Sequence, residues 1–79
     1  MPGAIPLAML PEGKEGKIAS INAGNKLKLR LTEMGFTENC SVKVDRADRG
    51  SLVVVTNGSK YALGKGIAMK IMITDSKVY

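Results

Sequence analysis

The dipeptide Asn57-Gly58 constrains this chain more than any other feature. It lies between two runs of strand composition, Ser51-Leu52-Val53-Val54-Val55-Thr56 and Ser59-Lys60-Tyr61-Ala62-Leu63. A two-residue type I′ turn needs positive φ at both central positions, and Asn followed by Gly takes up that backbone at the least steric cost. The length of the loop then sets the register. Thr56 falls opposite Ser59, Val55 opposite Lys60, Val54 opposite Tyr61, Val53 opposite Ala62 and Leu52 opposite Leu63. Directly opposed residues share a face, so Leu52, Val54, Tyr61 and Leu63 form the better apolar face, and Val53, Val55, Ala62 and Lys60 the other.

The rest of the chain supplies short elements around this hairpin. Residues 1–9 hold two prolines and no charged side chain. They read as a flexible arm whose Ile5 or Leu7 can lie on the body of the domain. A strand is expected over Glu15 to Asn22, anchored by Ile18 and Ile21, and a second over Cys40 to Arg46, where Val42 and Val44 alternate with Lys43 and Asp45. Between them Leu27, Leu31 and Met34 fall on one helical stripe, at i, i+4 and i+7. Asn25 is a favoured N-cap type. Gly35 and Phe36 suit a Schellman ending in which Phe36 meets Leu31. Gly64 to Met69 reads as a short helical turn weakened by two glycines, and Ile71 and Ile73 as an edge strand. The domain is thus expected over residues 10–74, with a tail at 75–79: a mainly β, partly open barrel of about five strands, with one short helix after the first.

Seventy-nine residues make one domain, and a chain of this size buries only about 60% of its unfolded surface. Its 44% hydrophobic and 24% charged residues are those of a globular protein. No apolar run reaches the roughly 18 residues of a membrane span, and no basic stretch followed by an apolar core marks a secretion signal. With a single cysteine, Cys40, the expected location is the cytoplasm; that thiol reads as a half-buried strand residue. The chain has no histidine. It lacks a nucleophile elbow, a phosphate-binding glycine loop and paired carboxylates at helical spacing, so no catalytic residue is assigned and an enzyme is not expected. Ferrous iron favours imidazole and carboxylate ligands. The seven acidic residues are scattered, so no metal ligand and no cofactor is assigned either. The net charge of +5 permits attraction to nucleic acid or acidic proteins. Nucleic-acid barrels add aromatic stacking platforms, and here Phe36 and Tyr61 are wanted by the core. Stable nucleic-acid binding is not expected, although a basic barrel keeps it as the alternative.

The helix carries a further signal. Arg30-Leu31-Thr32-Glu33-Met34-Gly35-Phe36 resembles the R-L-x-x-[LM]-G-[LF] signature of the FeoA family. Leu10-Pro11-Glu12-Gly13-Lys14-Glu15-Gly16-Lys17-Ile18 resembles that family's L-x-x-G-x-x-G-x-[VI] opening. Ser41-Val42-Lys43-Val44 and Tyr61-Ala62-Leu63 with Ala68 and Ile71 follow in the family's order. Glu38-Asn39 stands where the family usually has Pro-Gly. Val53 and Val55 occupy positions that are charged in many relatives, and Gly64 and Gly66 replace helix-friendly residues. The resemblance implies an SH3-like barrel and a non-catalytic accessory role in bacterial ferrous-iron uptake. The link to Fe2+ would be indirect, through contact with the membrane permease FeoB and its cytosolic GTP-binding region. It also leaves open a relation to the similar barrels appended to iron-dependent repressors.

Candidate contact residues follow from side chains that the core does not need. Leu29 lies on the side of the helix opposite the Leu27/Leu31/Met34 stripe, flanked by Lys26 and Arg30; it either packs under the N-terminal arm or meets a partner. Val53 and Val55 form a second apolar patch, for a partner or for weak self-association, unless sheet curvature covers them.

Overall fold

The computed structural model describes residues 4–75. Six strands form one antiparallel sheet: β1 (Ile5–Pro6), β2 (Glu15–Ile21), β3 (Ser41–Ala47), β4 (Ser51–Thr56), β5 (Ser59–Gly64) and β6 (Ile71–Asp75). Helix α1 (Asn25–Met34) joins β2 to β3, and a four-residue turn of helix, α2 (Lys65–Ala68), joins β5 to β6. The spatial order is β1-β6-β2-β3-β4-β5. β1 and β5 are not paired with each other, so the sheet curls without closing.

The β4–β5 hairpin has the register dictated by its turn, with Thr56 opposite Ser59 and Leu52 opposite Leu63. Asn57 (φ 52°) and Gly58 (φ 78°) take the two left-handed positions. Leu52, Val54 and Leu63 are buried. Tyr61, half-buried, sets its ring edge-on to that of buried Phe36, with centroids 5.4 Å apart. Thr56 is buried as well, and its hydroxyl donates to the Ser41 carbonyl oxygen at 3.0 Å. That bond satisfies a group that would otherwise be costly in the core.

β2 shows how an irregular spacing enters a regular sheet. Ile18 and Ile21 are three residues apart, which strict alternation would place on opposite faces. Against β6, Ile18 pairs with Ile73, Ser20 with Met72 and Ile21 with Ile71, with a register shift between Ile18 and Ser20. The extra residue, Ala19, is a β-bulge that brings both isoleucines inward, and both are buried. β3 has a similar shift between Val44 and Arg46, so the alternation of Val42 and Val44 with Lys43 ends at Asp45. Gly16 of β2 is buried where β6 crosses it. A Cβ at Gly16 would collide with the Ile73 side chain and stand 2.6 Å from the Thr74 carbonyl oxygen.

Three expectations are corrected at the termini. Ile5–Pro6 of the expected arm pairs with β6, Ile5 opposite Ile73 and Pro6 opposite Met72. Leu7–Met9 forms a turn of 3-10 helix whose Leu7 has no exposed surface. The arm is held because burying a leucine side chain stabilises by about 1.5–3 kcal/mol. β6 is consequently not an edge strand: it lies between β1 and β2, the sheet has six strands and not five, and pairing reaches Asp75 beyond the expected start of the tail. The parts of the expected arm at residues 1–3 and of the tail at 76–79 lie outside the described residues. Helix α1 is corrected by one position: its N-cap is Gly24, whose carbonyl oxygen accepts the Lys28 N–H at 2.9 Å, and Asn25 is the first helical residue.

Candidate interaction surface

Helix α1 divides its side chains between core and solvent as the sequence requires. Leu31 is buried, and Leu27 and Met34 pack half-buried against the same core. The helix ends at Gly35, in the left-handed region at φ 106°. The Gly35 N–H donates to the Thr32 carbonyl oxygen at 3.0 Å and the Phe36 N–H to that of Leu31 at 2.9 Å, the pair of bonds of a Schellman motif. A Cβ at Gly35 would stand 2.8 Å from Asn57 Nδ2. That amide instead donates to the Gly35 carbonyl oxygen at 3.4 Å and ties the hairpin tip to the end of the helix. The side of α1 that faces away is therefore fixed by its apolar stripe and by the tie at its C-terminal end.

On that outer side Leu29 is 60% exposed. It does not pack under the described part of the N-terminal segment, whose Ile5 and Pro6 pair with β6. Lys26 and Arg30 are exposed; helical geometry sets Lys26 one turn before Leu29 and Arg30 about 100° further round the helix. Glu33, also exposed, follows one turn after Leu29, so the basic character of this surface belongs to the first half of the helix. Desolvating an exposed leucine between two cations suits a partner that offers an apolar side chain ringed by carboxylates.

Val53 and Val55 lie on the outer face of β4, each half-buried. Val53 is flanked across the sheet by Arg46 and Ala62, Val55 by Lys43 and Lys60. Lys60 reaches Asp45 at 3.5 Å, so the ladder of long side chains, whose stems lie along apolar surface, covers part of both valines. The five candidate residues do not assemble into one surface. Three lie on α1, whose other side rests on the core, and two lie on the outer face of the sheet.

Sequence reasoning missed two further exposed apolar residues, Met9 at 66% and Met69 at 49%; Ile5, expected on the body of the domain, is 40% exposed. They come from elements that meet in space, since α2 packs on the 3-10 turn and that turn on β6. The signal was the uncharged run before Glu12, which marks apolar surface without saying which side chains the core takes.

Among the described residues, no group of three His, Cys, Asp or Glu side chains could hold a metal ion, and no cavity is found. Cys40 is half-buried just before β3, its sulfur 2.8 Å from the Thr37 hydroxyl. Among the described residues, no helix is long and apolar enough to cross a membrane.

Fold and surface together define a class: a small, partly open SH3-like barrel that presents exposed side chains on convex faces. The model of the FeoA domain matches residues 5–75. The chain is 40% identical over 72 residues to the "Putative Fe(2+) transport protein A" of Methanocaldococcus jannaschii, covering 91% of this chain and 88% of that protein. It superposes on the crystal structure of an iron uptake regulatory protein (FeoA) with a TM-score of 0.85 at 25% identity, covering 90% of this chain and 96% of the other. A manganese-dependent transcriptional repressor contains a similar barrel, with a TM-score of 0.87 at 21% identity; 95% of this chain matches 38% of the repressor, a likeness of fold alone. The chain belongs to the FeoA family.

Proposed function

We propose that this protein is a non-catalytic accessory component of ferrous-iron uptake that acts by docking on a membrane permease of the FeoB type. Its role in Fe2+ transport is inferred from family membership across residues 5–75 and from the relative in Methanocaldococcus jannaschii. The observation that carries the docking surface is Leu29, 60% exposed on the outer side of α1 between Lys26 and Arg30. A leucine so exposed adds little to the core, and the neighbouring cations draw an acidic partner surface into register. Fe2+ is the cargo of the system, and this domain influences its passage through the permease.

Two measurements test the reading. In an amide NMR titration with the cytosolic region of the permease, with and without GTP, shifts should cluster at Lys26, Leu29 and Arg30. The variant K26E/R30E should keep its fold and lose stimulation or inhibition of uptake. A folded variant with unaltered uptake removes this surface from the mechanism.

The likeness to the manganese-dependent repressor favours one second reading, a regulatory module for a metal-dependent repressor. Under that reading the permease region leaves the NMR spectrum unchanged, and the domain alters operator binding by the repressor.

A further inference from the structure

We propose that the surface built by the 3-10 turn, α2 and the residues that follow α2 docks on an anionic lipid bilayer. Among the described residues, two of the four large hydrophobic side chains that are exposed belong to this region, Met9 and Met69, and a third, Ile5, lies on β1 two residues before the 3-10 turn. The 3-10 turn that carries Met9 packs against α2. Met69 follows α2 directly, and its N–H donates to the Lys65 carbonyl oxygen at 2.9 Å, which sets Lys65 and Met69 one helical turn apart on the same side.

The charge around these methionines is predominantly positive. Lys65 and Lys70 are exposed on either side of Met69, and Arg49 is exposed on the turn whose Gly50 carbonyl oxygen accepts the Lys65 N–H at 3.1 Å. Two exposed acids lie nearby, each with a partner of its own: Asp48 pairs with Arg46 at 3.7 Å, and Glu12 Oε2 accepts the Ala47 N–H at 2.7 Å. From Arg49 to Thr74 the sequence contains no Asp or Glu.

Other occupants fit less well. A second copy of this chain would bring the same lysines against each other. A peptide strand added at the β1 edge would meet a two-residue strand whose Pro6 has no N–H to offer, and among the described residues no cavity encloses a side chain. A bilayer needs neither a groove nor an edge. Flexible methionines enter its disordered interface without shape complementarity, and lysines at the rim gain from the negative surface potential. One such contact alone is weak and reversible, suited to a protein that also holds a membrane-bound partner.

The test is co-sedimentation of the full chain with vesicles and needs no permease, so its failure is separable from failure of the docking proposed for Leu29. Binding is expected to vesicles of phosphatidylcholine with phosphatidylglycerol, not to phosphatidylcholine alone, and is expected to disappear in about 0.5 M salt as screening shortens. K65Q/K70Q should weaken it roughly thirtyfold, and M9S/M69S about tenfold or more; circular dichroism verifies the fold of each. If M9S/M69S unfolds, K65Q/K70Q decides alone. Binding that is equal on uncharged vesicles, or unmoved by the folded variants, overturns the proposal. So does a chain that ignores both vesicle types, including one that shows amide shifts at Met9 and Met69 with a synthetic Glu/Leu-rich peptide, which would assign the face to an acidic peptide.

Discussion

The β4–β5 hairpin and the β1–β6 seam are both antiparallel pairs, yet they stand for opposite ways of making a sheet. The hairpin closes through two residues, and its register is settled by a turn that needs only Asn57 and Gly58. The seam joins Ile5 to Ile73, near opposite ends of the chain, and consists of two residue pairs. Closing so long a loop has an entropic cost that two pairs cannot offset, so the seam exists because Leu7 and Ile73 are buried beside it. Backbone chemistry makes the hairpin, and side-chain burial makes the seam.

That contrast can be broken by experiment. The largest effect is expected at the seam: Leu7→Ala removes a fully buried side chain and should cost about 2–5 kcal/mol, seen in urea unfolding. A cost below about 1 kcal/mol would show that the N-terminal segment is not part of the core. Next is Gly16→Ala. Its Cβ meets the Thr74 carbonyl oxygen and the Ile73 side chain, and the overpacking should cost about 1–3 kcal/mol and move amide shifts along β6. At the hairpin, Gly58→Ala keeps open space around its Cβ but forces alanine to φ 78°. Its cost should be about 1–2 kcal/mol, or roughly 4–16 °C in Tm for a domain of this size. A hairpin register that slipped in this variant, detected by cross-strand NOEs, would mean that facing side chains and not the turn hold it. Smallest is Leu29→Ser, outside both seams. Stability should change by less than about 0.5 kcal/mol while shifts induced by the permease region are lost.

The same physics explains what could be read without the structure. The ending of α1 was legible because Gly35 and Phe36 encode a local hydrogen-bond pattern, and Asn39 at φ 71° takes the turn that follows. The start of α1 was misplaced by one residue because Asn25 and Gly24 are both acceptable N-caps and only the Lys28 N–H reveals which is used. Leu29 stood out as a surface candidate from helical period alone. Its exposure depends on where the N-terminal segment goes, which no local pattern in that segment specifies. Met9 and Met69 had no periodic signal, since each sits in a single turn.

By itself the sequence determined the features carried by neighbours along the chain. These are the hairpin and its register, the helix with its apolar stripe, and the motif order that places the protein in the FeoA family. Each rests on interactions spanning a few residues, where backbone preference and side-chain period suffice. Only the tertiary structure decided the sixth strand, the bulge at Ala19 that turns Ile18 and Ile21 inward together, and the meeting of the 3-10 turn that carries Met9 with the helix that precedes Met69. Those depend on which distant segments compete for the same buried area, and hydrophobic burial has no direction along the chain by which a sequence could announce its winner.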